Sequence, residues 1–247
     1  MTKTLTTLIF LGMSILSFGQ NDKLMLTFNE FTVLKDTVEN TFKIKDQNDK
    51  IIKKELKYVN YAGYSNSLQI LDHNNNLFYL NENLKQIEHP ENEIIEVCGT
   101  VAYFEMKIIE NSKNYLIEFT EDNSVYNEGV KKTIIDTIAK TNIKDIYFAN
   151  SEKEISYDEN FDFPTYLILD FGNSNKFGIK QNDSIEYYDS IDLKNPFAIK
   201  VKRKNLFGYY GITEIKYKEL NEFKYNLAKF ETEFGEKGYI DNNGNEY

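Results

Sequence analysis

Residues 197–240 read FAIKVKRKNLFGYYGITEIKYKELNEFKYNLAKFETEFGEKGYI, and the landmarks of this stretch come twice. Ala198 and Ala228 stand thirty residues apart, and so do Gly208 and Gly238. Thirty residues before Gly208 lies Gly178, in Lys176-Phe177-Gly178-Ile179, beside Leu206-Phe207-Gly208-Tyr209 and Lys237-Gly238-Tyr239-Ile240. Tyr188 and Tyr217 are twenty-nine apart. Three landmarks in one order at nearly one period are the mark of a stacked repeat.

Working upstream, Phe42-Lys43-Ile44, Phe78-Tyr79-Leu80, Tyr115-Leu116-Ile117 and Tyr147-Phe148-Ala149 fill the same aromatic-plus-aliphatic slot without the glycine. Between the apolar runs fall polar clusters: Asp46–Asp49, Asp72–Asn76, Glu121–Ser124, Gln181–Asp183 and Asp241–Gly244. Asn, Asp and Gly accept the positive φ of tight hairpins. Short apolar runs divided by such turns predict antiparallel strands. The expected fold is therefore all-β: an antiparallel array of ~30–37-residue units, either propeller-like or an open solenoid. The glycine after the aromatic residue either removes a Cβ where backbones approach or supplies positive φ at a bulge. Lys23–Phe28 is a candidate partner for the last hairpin, which would close a ring. Two stretches depart from the pattern. Val130, Ile134, Ile135, Ile138 and Ala139 follow helical spacing, and predict a short helix over 128–141. Glu152–Asp162 reads as a long exposed loop before Phe163-Pro164.

Composition agrees. The 247 residues are 41% hydrophobic and 28% charged, too apolar for a disordered chain. Aromatic residues reach 15%, all Phe and Tyr, which favours strands. The net charge of −10 opposes phosphate backbones and anionic membranes, so nucleic acid is not an expected partner. Met1–Gln20 reads as a secretory signal: Lys3, an apolar run from Leu8 to Phe18, then Ser17-Phe18-Gly19 before Gln20. That run is too short to span a bilayer, and no later stretch is apolar enough to do so. The reading is thus a signal peptide over 1–19 and one β-repeat domain over 20–247, secreted or in the periplasm or cell envelope. Cys98, alone in the chain and set in Ile94–Cys98, is read as a core-strand residue, with intermolecular pairing as the alternative.

The last repeat carries a family likeness. Leu227-Ala228-Lys229-Phe230, then Gly235–Asn245, resembles the WG repeat, whose unit runs Leu-Ala, Gly-Lys-Trp-Gly-Phe-Ile-Asp and a Gly-bearing turn. Tyr217–Phe223 resembles that family's Tyr-Asp-x-Ile-x-x-Phe element. The copies are degenerate: Phe177 and Phe207 stand where the signature Trp belongs, and Lys237 takes that place in the third. The likeness is clearest over 173–247. It implies a secreted or envelope β-repeat protein of no common activity, and supplies no catalytic residues.

No phosphate loop, G-x-S-x-G, H-E-x-x-H or C-x-x-C motif occurs. His73 and His89 sit in polar loops, so neither a metal nor a cofactor is expected. Asp241–Glu246 has the residue types of a calcium loop, but its glycine is fourth rather than sixth. No catalytic residue is singled out. Two groups are candidate ligand-binding residues. Tyr58, Tyr61 and Tyr64 could stack on sugars, or simply pack a core. Lys200, Lys202, Arg203 and Lys204 could bind an anionic envelope polymer, or guard a strand edge. The leading expectation is a non-catalytic protein presenting a β-repeat surface to a protein or glycan. The rival is a carboxylate-based polysaccharide hydrolase, which needs two carboxylates in a concave, aromatic-lined site.

Overall fold

The structure, a computed structural model, describes residues 22–63, 66–90, 103–124, 128–158, 166–172 and 176–247. Among them every regular element is a β-strand, as the alternation and turn chemistry predict. The segment read as a secretory signal, Tyr64, Cys98 and Phe163-Pro164 lie outside the described residues. The chain divides into two compact units, with the boundary between Ile95 and Glu96.

The first unit holds two four-stranded antiparallel meanders. One is β1 (Asp22–Phe28), β2 (Phe31–Asp36), β3 (Thr41–Lys45) and β4 (Ile51–Leu56); the other is β5 (Tyr58–Tyr61), β6 (Ser67–Leu71), β7 (Leu77–Asn81) and β8 (Gln86–Ile87). Both contribute to one core, in which Phe28, Val33 and Ile44 meet Leu68, Ile70 and Leu80. β3 shows how alternation builds it: Phe42 and Ile44 turn inward while Thr41, Lys43 and Lys45 stay partly exposed. Each such aliphatic side chain contributes roughly 1.5–3 kcal/mol on burial.

The second unit holds three sheets. β9 (Tyr103–Glu110), β10 (Asn114–Asp122), β11 (Val130–Ala139) and β13 (Glu154–Asp158) form a sheet in the order β11-β10-β9-β13. β12 (Asp145–Phe148), β14 (Leu167–Asp170), β15 (Phe177–Gln181) and β16 (Ser184–Tyr188) form the next, and these two sheets share a core of Ile117, Ile146, Phe148, Ile155 and Leu169. A six-stranded meander follows: β17 (Ser190–Asp192), β18 (Lys200–Arg203), β19 (Leu206–Tyr209), β20 (Tyr217–Leu220), β21 (Leu227–Thr232) and β22 (Lys237–Asp241). No sheet closes into a barrel.

The repeat has a plain structural meaning. Its three glycines occupy equivalent ladder positions, Gly178 opposite Leu169, Gly208 opposite Val201 and Gly238 opposite Phe230. Its aromatic landmarks face each other across the next ladder, Phe177 with Tyr188 and Phe207 with Tyr217. None of the three glycines has positive φ. At Gly208 and Gly178 a close neighbour stands where a Cβ would be. A Cβ on Gly208 would lie 2.7 Å from the Glu214 carbonyl oxygen, and one on Gly178 would lie 2.8 Å from Ile185 Cγ2.

Five hairpins share one turn. In Asp46–Lys50, Asp72–Asn76, Asn81–Lys85, Thr232–Glu236 and Asp241–Asn245, the first residue's N–H donates to the fifth carbonyl, and the fourth N–H donates back to the first. The fourth residue always has positive φ: Asp49, Asn75, Leu84, Gly235 and Gly244. The first side chain fastens the loop, accepting from the fifth N–H in all five and from the third in all but Thr232. This is a three-residue hairpin loop closed by a left-handed residue, with a side-chain oxygen satisfying N–H groups that would otherwise face solvent. Three of the five were read from the sequence.

Three expectations need correction. The helix over 128–141 is instead β11, paired along its length with β10. Its Val, Thr and Ile content favours a pleated surface over a helix, and the apparent helical face is not buried: Val130, Ile134 and Ile135 are exposed and Ile138 alone of the four is buried. The loop over Glu152–Asp162 contains β13, which pairs with β9 and sends Ile155 into the core while Glu154 meets Lys107. Lys23–Phe28 is the outer strand of the first sheet, paired with β2; the last hairpin is completed by a bridge from Glu246 to Ile240.

Candidate functional site

Both described members of the tyrosine group lie on β5, where a separation of three residues sends side chains to opposite faces. Tyr58 is buried. Tyr61 is partly exposed; its hydroxyl donates to the Thr27 carbonyl at 2.6 Å and its ring meets Phe28 edge-on at 5.9 Å. β5 therefore does not align the two rings on one platform. The third, Tyr64, is outside the described residues.

The basic cluster is spread by the pleat of β18. Arg203 donates to the Tyr187 carbonyl from Nε and Nη2 at 3.2 and 2.9 Å, and lies 4.9 Å from the Tyr188 ring centre. The Lys202 ammonium sits 5.5 Å or less from an aromatic face, at 5.4 Å over Phe207. Lys204 serves the turn, its backbone N–H donating to Asp189 at 2.8 Å with φ at 51°. Lys200 lines a concavity.

That concavity is built by one row of the six-stranded sheet. Asp192, Lys200 and Tyr209 are direct cross-strand neighbours on β17, β18 and β19. Lys194 comes from the connection after β17, and Glu222 with Phe223 from the connection after β20. Together they line a shallow notch of about 10 Å³, room for about one water, that opens to solvent, far below the ~300–1,000 Å³ of drug-sized sites. Its floor is aromatic: the Tyr209 and Phe223 rings lie 4.7 Å apart, and the Tyr209 hydroxyl donates to the Asn221 carbonyl. Its rim is ionic. Lys194 reaches Glu222 at 2.9 Å and Asp192 at 4.0 Å, while Lys200 reaches Asp192 at 3.7 Å. The Glu222 carboxylate, and after it Asp192, raise the Lys194 ammonium above its ordinary value, and burial pushes the Tyr209 hydroxyl up. The lysine therefore stays charged and the phenol neutral.

Such an arrangement offers the partly exposed Phe223 ring, packed on the buried Tyr209, beside fixed donors and acceptors. Sequence reading named Lys200 but missed the rest, although a signal was present: Asp192 and Glu222 stand thirty residues apart, in the repeat's own period.

Elsewhere, His73 and His89 are exposed, and among the described residues no three His, Cys, Asp or Glu side chains gather as a metal site. In the Asp241 turn the carboxylate is occupied by the N–H groups of Asn243 and Asn245 and the Asn245 amide. No described helix is long and apolar enough to cross a membrane. No protein-family model matches the chain, and no curated protein has a matching sequence.

Proposed function

We propose that the chain is a secreted or envelope binding protein of the WG-repeat kind, without catalytic activity, which takes a glycan through the cleft of its six-stranded sheet. The observation that supports this is the partly exposed Phe223 ring, backed by the buried Tyr209, beside a rim of alternating charge. A sugar ring presents an apolar face and a fringe of hydroxyls, which match a ring of that kind and a rim holding both donors and acceptors.

The test is a thermal-shift and calorimetric screen of Gln20–Tyr247 against neutral, acidic and amino sugars and their oligomers. At a hundred times Kd a true ligand stabilises by about 2.7 kcal/mol. Lys194→Ala, at an exposed position, should abolish that shift and leave the ligand-free melting temperature unchanged. No shift with any sugar, or an undiminished shift in the variant, would overturn the reading.

A second reading, hydrolysis, draws on Asp192 and Glu222 sharing the cleft. It requires one carboxyl kept protonated by apolar surroundings, whereas both carboxylates here are paired with lysine. Release of reducing ends from the bound glycan would favour it.

A further inference from the structure

β11 is the longest strand described, ten residues, and it is the outermost of its sheet. Its inner edge pairs with β10. Over its first six residues every side chain is exposed, with Val130 at 56%, Ile134 at 47% and Ile135 at 51%. The second half is different. The ladder shifts register at Ile135, Asp136 is bridged by Lys180 at 2.6 Å while its other oxygen accepts from the Thr137 N–H, and Ile138 is buried. An edge with no described partner, carrying three exposed aliphatic side chains and two lysines, thus runs from Val130 to Ile135 and stops at a bulge.

The outer face of this sheet says what would fit there. Glu154 on β13 is opposite Lys107 on β9 and bonded to it at 2.7 Å; Lys107 is opposite Glu118 on β10; Glu118 is bonded to Lys132 on β11 at 3.0 Å. Acid and base alternate from strand to strand, and the row ends on a lysine at the open edge. Alternation also places Val130 and Ile134 on the face of Lys132, two residues to either side. Opposite charges and β-branched pairs directly across a ladder stabilise it, and like charges do the reverse.

We propose that the edge Val130–Ile135 is a strand-addition site for an extended segment of another protein, one bearing a carboxylate flanked two residues away on each side by aliphatic residues. Backbone N–H and C=O groups of the edge would supply the ladder, Lys132 would meet the carboxylate, and Val130 and Ile134 would meet the aliphatic pair. A second copy of this chain is a poor occupant. Antiparallel pairing of two such edges would crowd both copies of Lys131 and Lys132 into one short ladder, between molecules already carrying a net charge of −10. This site is independent of the cleft and stands or falls separately.

The experiment uses Gln20–Tyr247 with two fluorescent heptapeptides, Thr-Ile-Thr-Glu-Thr-Ile-Thr and the same peptide with lysine at its centre. Anisotropy gives affinity, and amide hydrogen exchange gives location. The glutamate peptide should bind, slow exchange over 130–135, and exceed the lysine peptide by about five- to tenfold. Lys132→Gln should erase most of that preference, and Ile134→Thr should weaken both peptides; both positions are exposed, so the fold is kept. Equal affinity for the two peptides, no binding, protection elsewhere, or self-association of the free chain through these amides would each overturn the proposal.

Discussion

Gly208 and Gly178 occupy the same place in the repeat but face different neighbours. At Gly208 an added Cβ meets the Glu214 carbonyl and the Ile215 backbone, at 2.7 and 3.1 Å, so relief requires moving the chain. At Gly178 the contacts are side-chain atoms, Ile185 Cγ2 and Phe171 Cε2, at 2.8 and 3.1 Å, so relief requires shifting two side chains and leaves the backbone in place. Gly208→Ala should therefore cost about 1–3 kcal/mol, as overpacking does. Gly178→Ala should cost under about 1 kcal/mol, since the alanine also restricts the unfolded chain. Urea titration of the two variants checks this, and equal losses would mean that the neighbours do not decide the cost. The thirty-residue spacing made these glycines legible, but a sequence does not say what each one faces. For the same reason it pointed to Tyr58 and Tyr61 together: their proximity in the chain was visible, and the face each takes on β5 was not.

Among elements, the shared hairpin turn was the most legible, because an Asx residue followed by a residue tolerant of positive φ is a local signal with a local cause. The Thr232 turn escaped notice because a threonine stands in the fastening position and glutamates surround it. β11 was misread for the opposite reason: its apolar positions fit helical spacing, yet the tertiary ladder with β10 and the preference of β-branched side chains decide the outcome. The turns also bring a pH dependence. Asp72 is pushed upward by burial, but the Asn76 amide and the backbone N–H groups of Asn76 and Asn74 outweigh this and hold its carboxyl below the ordinary value. The folded chain thus resists protonation more than the unfolded one. The stabilisation is complete above the unfolded value, near 3.9, and is lost as pH falls through the lower folded value. Asp72→Asn keeps an acceptor, as Asn81 does in its own turn, and discards the charge. Urea midpoints should show the variant less stable than wild type at about pH 6, with the gap narrowing as pH falls below about 3.9. A gap that does not change with pH would mean that the charge contributes nothing.

For the whole molecule, all-β architecture and a repeated unit were legible from period and composition, whereas the cleft was not. It depends on a row across three strands and on two connections, and strand register cannot be read from one sequence. Charge acts at this scale as well. With 39 acidic against 29 basic side chains, the folded chain repels itself, and most of its ion pairs are exposed and individually weak. Screening should therefore help more than it harms: raising NaCl from about 20 to 500 mM at neutral pH should raise the melting temperature by a few degrees. A fall would show that the exposed pairs outweigh the net repulsion. The five fastened hairpins have a last consequence, for engineering. Their second and third positions hold Gln47-Asn48, His73-Asn74, Glu82-Asn83, Glu233-Phe234 and Asn242-Asn243, and Phe234 stands 91% exposed with the loop intact. Since the first side chain and the fourth backbone angle close the loop, the side chains of these dipeptides are not what holds it shut. Foreign pairs of residues could be grafted there, several per molecule, to make a display scaffold whose tips change while its sheets do not.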